Sequence, residues 1–469
     1  MKKEKNFLKW AGVFVAALFV LSAASAIVNA WDTTAPMSSL ESHLFPPDDE
    51  YEEIWADTYY DAITGLDITS DKDDNCIVVG INDALEGVVV KYDGMTGEVI
   101  WGDILDESLV LGGGGSYPLH VDIGDFYCIR DLLFDINQER FDPIIEPTDT
   151  YSILISSVDT DSEGDIVIVA TAYDDSDEDM PSAAYVAKYR GSDGELMWDR
   201  VLDLYIWDVG SSVAFNENDD VIVVGVGGGI QINGEDILPI MDGWMYELNA
   251  DYGYTSDMNH VFGILQPLPY YFDVAIDTNN NIFATGAYLD IDWSNFPDIT
   301  AEQSVFVSKH SGYTLNLVNS YLGDPDIYTW LQTIAVDTND EVYVGGYINN
   351  PYSSQYIIKF TNDLNTILWD KQSETGEVLS IATSKEPAID QFAVQVSNFY
   401  DEAFITDLYA LSGTFLLEIV ECLDEGRGSA VTYDTASDIF VTGGIEGGYE
   451  EYMHTMKYHI IPSTILILL

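Results

Sequence analysis

A ten-residue motif recurs six times, and this repetition limits the fold more than any other feature of the chain. Each copy is an acidic turn followed by a β-branched strand that ends in a small residue. The copies are DKDDNCIVVG (71–80), DSEGDIVIVA (161–170), NENDDVIVVG (216–225), DTNNNIFATG (277–286), DTNDEVYVGG (337–346) and DTASDIFVTG (434–443). A short apolar run precedes each copy. Asp, Asn and Gly favour tight turns because they tolerate positive φ or bond to nearby backbone, so each copy predicts a β-hairpin.

A third predicted strand carries a lysine at a fixed position of the repeat. The lysines are Lys91, Lys188, Lys309, Lys359 and Lys457, and Glu247 takes the place of the lysine in the unit that begins at Asn216. The chain has few basic residues, so this regular placement predicts a structural role. We expect each lysine to pair with an acid of a neighbouring strand or repeat unit.

A fourth predicted strand carries a tryptophan ten residues after the lysine. The pairs are Lys91 with Trp101, Lys188 with Trp198 and Lys359 with Trp369, whereas the unit containing Lys309 lacks the tryptophan. We expect these indoles to pack between neighbouring units. Four short strands in each unit, repeated at a period of roughly 50–60 residues, are typical of the blades of a β-propeller.

The spacing of the hairpins predicts the number of blades. Successive copies start 90, 55, 61, 60 and 97 residues apart. The last interval spans almost two periods, and residues 378–421 supply four candidate strands for a degenerate blade. The first interval contains an extra segment, about 109–150, which lacks the hairpin motif and is interpreted as a loop insertion. The sequence therefore predicts an all-β protein with a single propeller of seven four-stranded blades over residues 51–460.

Two segments compete for the outer strand that closes the ring. YEEIWAD (51–57) resembles the fourth-strand pattern GEVIWGD (97–103), whereas STILILL (463–469) lies close after Lys457. Residues 461–469 are therefore either a C-terminal tail or the closing strand. The N-terminal segment is the preferred closing strand because its Trp55 stands at the expected position.

The N-terminus has the features of an export signal. Lys2, Lys3, Lys5 and Lys9 precede an apolar stretch at 10–28, and small residues follow it. This pattern predicts a signal peptide over residues 1–30, with cleavage after Ala26 or Ala30, and a linker over 31–50. An uncleaved membrane anchor is the alternative, because 19 apolar residues can just span a bilayer. In either case we expect a secreted or cell-surface protein, with no other membrane insertion.

The charge of the chain restricts its partners. There are 81 acidic and 17 basic residues, which gives a formal net charge of −64. Nucleic acid and anionic lipid need basic patches, so these partners are not expected. A protein or glycan ligand of unknown identity is expected instead, and the chain is predicted to be a monomer.

The repeat resembles two related propeller families. The hairpin followed by a strand such as VVVKYD (88–93) is similar to the SBBP-type beta-propeller repeat of secreted bacterial and archaeal proteins. The turn and tryptophan of YDGMTGEVIW (92–101) and YRGSDGELMW (189–198) resemble the repeat of quinoprotein-like, PQQ-type propellers. The resemblance covers roughly residues 51–460 and implies a propeller.

Two of the acidic turns could supply oxygen ligands to calcium. DKDDN contains Asp71 and Asp73, and DTDSEGD contains Asp159, Asp161 and Asp165. Several carboxylates close together are what Ca²⁺ requires, although neither turn has the spacing of an EF-hand. The alternative is that these residues simply form hairpin turns. Calcium is the one cofactor that the sequence suggests.

The sequence contains no recognisable catalytic motif. It has no GxSxG elbow, P-loop or HExxH, and its six histidines form no zinc-type pair. We therefore expect a non-enzymatic, extracellular binding or scaffolding protein. One alternative is a quinoprotein-like or lyase-type propeller enzyme. Another is an adhesion module stabilised by calcium.

Overall fold

The computed structural model describes 14 segments of the chain. They are residues 51–84, 86–105, 151–174, 182–202, 207–233, 236–264, 268–292, 300–324, 329–349, 353–385, 391–398, 401–421, 427–446 and 451–460. The regular elements in these segments are all strands, and none of the segments contains a helix suited to crossing a membrane. The predicted signal peptide, linker, insertion and C-terminal tail lie outside the described residues.

The first three blades follow the predicted order along the chain. Blade 1 consists of β2 (Thr64–Ser70), β3 (Cys76–Ile81), β4 (Gly87–Tyr92) and β5 (Val99–Leu105). Blade 2 consists of β6 (Tyr151–Thr160), β7 (Ile166–Asp174), β8 (Ser182–Tyr189) and β9 (Leu196–Leu202). Blade 3 consists of β10 (Trp207–Phe215), β11 (Val221–Asn233), β12 (Asp236–Leu248) and β13 (Thr255–Ile264). One parallel bridge, Trp207 with Ser182, links the sheets of blades 2 and 3.

The next three blades include the one that the sequence marks as degenerate. Blade 4 consists of β14 (Leu268–Ile276), β15 (Asn281–Asp292), β16 (Thr300–Ser311) and β17 (Leu317–Leu322). Blade 5 consists of β18 (Thr329–Val336), β19 (Val342–Asn349), β20 (Ser353–Phe360) and β21 (Ile367–Thr375). Blade 6 consists of β22 (Glu377–Thr383), β23 (Gln391–Asn398), β24 (Asp401–Ala410) and β25 (Phe415–Glu421), which confirms the predicted degenerate blade.

Blade 7 combines the two ends of the described chain. It consists of β26 (Arg427–Tyr433), β27 (Ile439–Glu446), β28 (Glu451–Ile460) and β1 (Tyr51–Tyr59), in the order β1-β28-β27-β26. β1 is antiparallel to β28 and pairs Trp55 with Lys457. This register confirms the N-terminal segment as the closing strand. The sequence-based prediction of seven antiparallel blades is also confirmed.

The seven inner strands surround the propeller axis. Each packs against the inner strand of the next blade, and β2 also packs against β26, so the ring is closed. Every inner strand has a register shift at the same position. In β2 the shift lies between Gly65 and Asp67, and in β14 it lies between Tyr271 and Asp273. A bulge of this kind redirects the side chains that follow it.

The hydrophobic core lies between the blades. Along β3, Ile77 and Val79 pack against blade 2, whereas Cys76 and Val78 pack against blade 7. Because both faces of the strand are covered, the second strands are continuous apolar runs without the alternation of a half-exposed sheet. Burial of each such side chain contributes about 1.5–3 kcal/mol. Cys76 is fully buried and free.

Lysine and tryptophan on neighbouring strands join four of the seven blades to the next blade. Lys91 faces Trp101 across β4 and β5, and both side chains donate to the carbonyl oxygen of Gly191 in blade 2, at 2.7 Å and 3.2 Å. Lys188 and Trp198 share Ala250, Lys359 and Trp369 share Leu411, and Lys457 and Trp55 share Gly94. Four blade junctions therefore use one repeated contact, including the junction that closes the ring.

The tryptophans also explain the glycines in the turns that they meet. Trp55 packs on Gly97, Trp101 on Gly194, Trp198 on Gly253 and Trp369 on Gly413, and each glycine has a φ between 64° and 83°. A Cβ built on Gly97 would lie 2.7 Å from Trp55 Cδ2. Positive φ and close contact with an indole both favour glycine at this position.

Candidate functional site

The predicted calcium residues Asp71 and Asp161 begin two equivalent hairpin turns. Asp71 Oδ1 accepts hydrogen bonds from the backbone N–H groups of Asp73 and Asn75, both at 2.9 Å. Asp161 accepts from Glu163 and Asp165 in the same way. These Asx turns close the loop between the first and second strands of each blade, as the hairpin interpretation predicts.

The lysines of the third strands bind the second oxygens of these aspartates. Lys91 Nζ lies 2.6 Å from Asp71 Oδ2, and Lys188 Nζ lies 2.7 Å from Asp161 Oδ2. Burial raises the pKa of Asp71, but hydrogen bonds and charge from Lys91 together with Asn75 bring this pKa below its usual value. The prediction that the repeated lysines pair with acids is confirmed for these blades.

The same ion pair recurs in two other blades, and blades 3 and 4 make different contacts at these positions. Lys359 pairs with Asp337, and Lys457 lies 2.8 Å from Asp434. In blade 3, Asn216 opens the turn and donates to Glu247, which replaces the lysine, at 3.0 Å. Lys309 of blade 4 bonds to Asn362 of blade 5.

The fourth residue of each hairpin turn forms a second ring of contacts. It has a positive φ in all six turns, at Asp74, Gly164, Asp219, Asn280, Asp340 and Ser437. The Asp74 carboxylate accepts from the backbone N–H and the hydroxyl of Thr435 in blade 7, at 2.8 Å and 2.9 Å. Asp219 and Asp340 accept in the same way from the hairpins of the preceding blades. The acidity of the turns therefore contributes to the closure of the ring.

The structure places the remaining predicted calcium residues apart from one another. Asp165 accepts a bond from the Gly191 N–H at 2.9 Å, whereas the Asp73 side chain is 71% exposed. Asp159 lies on the inner strand β6. Within the described segments, no three acidic, histidine or cysteine side chains are grouped to hold a metal ion. Calcium binding by Asp71, Asp73, Asp159, Asp161 and Asp165 stays a prediction.

Three aspartates on inner strands form the most distinctive electrostatic feature near the axis. Asp67 accepts from the N–H of Ile68 in its own strand and from that of Val158 in the next blade, both at 2.9 Å. Asp159 accepts from Phe215, and Asp273 accepts from Ile334, so each spans a blade junction. We define these three residues as the axial carboxylates, and they are the candidate functional site of the described chain.

Burial near the axis alters the protonation of these groups. It raises the pKa of Asp67 to about 7, and the backbone hydrogen bonds offset only part of that rise. The charge of Asp273 adds a smaller increase. Because Asp67 and Asp273 belong to blades 1 and 4, which are not neighbours, this interaction operates across the axis. The pKa values of Asp159 and Asp273 are also raised by burial.

One lysine reaches this region from blade 6. Lys385 Nζ donates to Ser70 Oγ of blade 1 at 3.0 Å, and the lysine is otherwise exposed. Burial raises the pKa of Asp159, and the charge of Lys385 partly offsets that rise. The three carboxylates and this ammonium can bind polar or cationic groups that enter along the axis. The sequence motifs did not identify Asp67, Asp273 or Lys385, although Asp67 and Asp273 occupy equivalent positions before their hairpins.

A family comparison supports the repeat assignment. Residues 320–353 match the model of the SBBP family, described as a beta-propeller repeat. This segment spans β18 and β19 of blade 5. The match confirms the resemblance to the SBBP repeat. No curated protein sequence is similar to the chain.

Several solved structures are similar to the chain. Quinohemoprotein alcohol dehydrogenase from Comamonas testosteroni has 8% identity and a TM-score of 0.43, with 87% of this chain and 76% of that chain covered. A polysaccharide lyase of family PL25, an ulvan lyase, has 10% identity and a TM-score of 0.47, with 86% and 96% covered. A protein of unknown function from Dyadobacter fermentans has 10% identity and a TM-score of 0.43, with 66% and 95% covered. These values are too low to transfer an activity to this chain.

Proposed function

We propose that the protein is an exported, non-enzymatic binding and scaffolding protein of the cell surface or the extracellular space. Its partners would be basic proteins or neutral glycans. The β-propeller fold is compatible with many activities, so the proposal rests on the surface chemistry of this chain and not on the fold.

The burial of the repeated lysines is the observation that carries this proposal. Five of the 13 basic residues after residue 30 lie between blades, and each is at most 8% exposed. Their positive charge is therefore enclosed, whereas many carboxylates remain exposed. A surface of this kind attracts basic partners and repels nucleic acid and polyanionic glycans.

The repeated junction contacts support the scaffolding part of the proposal. Each blade is tied to its neighbours by packing, and four junctions add the lysine and tryptophan pair described above. β1 completes blade 7, and every inner strand packs against the inner strands of both neighbouring blades. A closed ring of this kind can hold a binding surface in a fixed geometry, which lowers the entropic cost of binding.

Binding assays with defined probes test the proposal. The purified chain is immobilised and exposed to poly-L-lysine, neutral hexaoses, heparin and double-stranded DNA. We expect binding to poly-L-lysine that weakens as NaCl rises from 50 to 500 mM, because the Debye screening length falls below about 10 Å over this range. Heparin and DNA should not bind. Binding of DNA or heparin would contradict the proposal. So would the result that neither poly-L-lysine nor any of the neutral sugars binds.

The enzyme alternatives require a separate assay. A quinoprotein-like enzyme would show a quinone absorption band and dye-linked dehydrogenase activity, and a lyase would release unsaturated sugars that absorb in the ultraviolet. We expect neither signal. For the alternative of a calcium-stabilised adhesion module, the melting temperature in EDTA is compared with that in millimolar CaCl₂.

A further inference from the structure

One turn between the third and fourth strands differs from its equivalents in side chains but not in backbone. In the 249–254 turn of blade 3, the N–H of Asn249 donates to Tyr254 O and the N–H of Gly253 donates to Asn249 O, both at 2.8 Å. The 93–98 turn of blade 1 and the 190–195 turn of blade 2 have the same two bonds, at 2.8–2.9 Å. Differences at this position therefore reflect side-chain chemistry.

Two exposed tyrosines distinguish the blade 3 turn. Blade 3 has Tyr252 and Tyr254 in this turn. The equivalent residues are Thr96 and Glu98 in blade 1, and Asp193 and Glu195 in blade 2. Tyr252 is 61% exposed and Tyr254 is 54% exposed. Their rings are stacked with centroids 6.1 Å apart and planes inclined by 29°. Two large aromatic side chains thus lie at the surface where blades 1 and 2 carry small or charged ones.

Blade 2 holds this pair of tyrosines in place. The guanidinium of Arg200 lies 5.0 Å from the centre of the Tyr254 ring, and its Nε donates to Gly253 O at 3.1 Å. Another guanidinium nitrogen donates to Tyr252 O. Trp198 packs on Gly253, between the two tyrosines in sequence. The turn is therefore rigid before any ligand arrives, which lowers the cost of ordering the two rings on binding.

The neighbouring blade presents a further exposed tyrosine. Tyr313 stands in the equivalent turn of blade 4 and is 70% exposed. Its hydroxyl donates to Glu217, in the hairpin turn of blade 3, at 3.1 Å. This bond places the blade 4 turn against the blade 3 hairpin. Aromatic rings are thus presented by two adjacent blades.

We propose that Tyr252 and Tyr254 bind a neutral polysaccharide, a proposal that rests on the proposed function and names its ligand class. The C–H faces of neutral pyranose rings are apolar and stack on aromatic side chains, whereas their hydroxyl groups bond to polar neighbours such as the exposed Asp251. The net charge of −64 disfavours uronic and sulfated sugars. Exposed tyrosine suits such a ligand because one side chain offers both an apolar face and a hydroxyl.

The test uses residues from the equivalent turns as replacements. Tyr252→Thr combined with Tyr254→Glu gives blade 3 the residues of blade 1, which already form the same turn. Met95→Ser is the matched control, because Met95 is 84% exposed in the blade 1 turn and blade 2 has Ser192 at that position. Cellohexaose, mannohexaose and xylohexaose are titrated calorimetrically into the full chain. Circular dichroism checks the fold of each variant.

The wild type should bind at least one of these hexaoses and give a tyrosine difference spectrum. The double variant should bind it at least about tenfold more weakly, as expected when central aromatic contacts are lost, and Met95→Ser should bind unchanged. Tyr252→Thr alone provides the same comparison with less perturbation. Equal affinity of the wild type and the tyrosine variants would overturn the inference. Binding of poly-L-lysine without any hexaose would also overturn it, while leaving the proposed function standing.

Discussion

Trp55 and Lys457 donate to the same acceptor, the carbonyl oxygen of Gly94, at 3.1 Å and 2.9 Å. Trp55 belongs to the first described strand and Lys457 to the last, and the two residues face each other across β1 and β28. Gly94 lies in blade 1. The contact that joins the ends of the chain is thus the same contact that joins blades 1 and 2, 2 and 3, and 5 and 6.

Replacement of Lys457 by methionine should destabilise the ring strongly. The Asp434 side chain is 1% exposed, and removal of the ammonium leaves this carboxylate buried without its counter-charge. Loss of one partner of a buried ion pair costs about 3–5 kcal/mol. Urea denaturation followed by tryptophan fluorescence measures the change. Lys72→Met is the control, since Lys72 is 47% exposed and its loss should cost less than about 1 kcal/mol.

Gly97→Ala should cost more stability than a substitution at another glycine of positive φ. A Cβ on Gly97 would collide with the Trp55 ring, and alanine disfavours a φ of 72°. We expect a loss of about 1–3 kcal/mol. Gly164→Asn is the control, because Asp, Asn or Ser occupies its place in the other five turns and the nearest atom lies 3.4 Å from the added Cβ. Equal losses for the two variants in thermal denaturation would contradict this explanation.

The contribution of Glu377 to the free energy of unfolding should decrease as the pH rises from 5 to 8, whereas His454, whose pKa burial lowers to about 4, acts in the opposite direction below about pH 6.5. Burial raises the pKa of Glu377 to about 7, and Arg427 offsets part of that rise. Unfolded glutamate titrates near pH 4.5, so the folded state binds more protons between these values and its stability falls with increasing pH. The contribution of Glu377 is at most about 3 kcal/mol. Asp67, with its pKa raised to about 7, acts in the same direction.

Melting temperatures of the wild type and Glu377→Gln between pH 5 and 8 test this account. The variant has no titrating group at this position, so the melting temperature of the wild type should fall relative to that of the variant as the pH rises. Asp363 serves as a reference, because hydrogen bonds from Thr361 and Asn365 lower its pKa to about 2. Asp363→Asn should leave the pH dependence between 5 and 8 unchanged. Parallel curves for the wild type and Glu377→Gln would show that Glu377 does not contribute.

Much of the fold could be predicted because the repeated residues have local or periodic roles. The turn chemistry at Asp71 and its counterparts depends on a few neighbouring residues, so it is visible in the sequence. The ten-residue interval from Lys91 to Trp101 fixes their cross-strand pairing. The closing strand is also identifiable, since Trp55 occupies the position of the repeated tryptophan in a segment that resembles the fourth strand of blade 1.

The placement of Asp67 and Asp273 near the axis could not be predicted because it depends on tertiary structure. Asp67 accepts a bond from Val158, which lies 91 residues away, and only the closed ring brings Asp67 near Asp273. The acceptors shared by lysine and tryptophan lie in the next blade and are also invisible to local patterns. The tyrosine turn is different, because alignment of NADYGY (249–254) with DGMTGE (93–98) already shows two aromatic residues in place of polar ones.

Ring closure by β1 is the central claim, and a disulfide between β1 and β28 tests it most directly. Glu52 and His459 are paired neighbours and both are exposed, so Glu52→Cys with His459→Cys should place two thiols within bonding range. Mild oxidation followed by peptide mass spectrometry measures the link, with each single variant as a control. We predict near-complete formation of this intramolecular disulfide in the folded protein. If the introduced cysteines stay reduced while the fold is intact, another segment occupies the edge of blade 7 and the account is wrong.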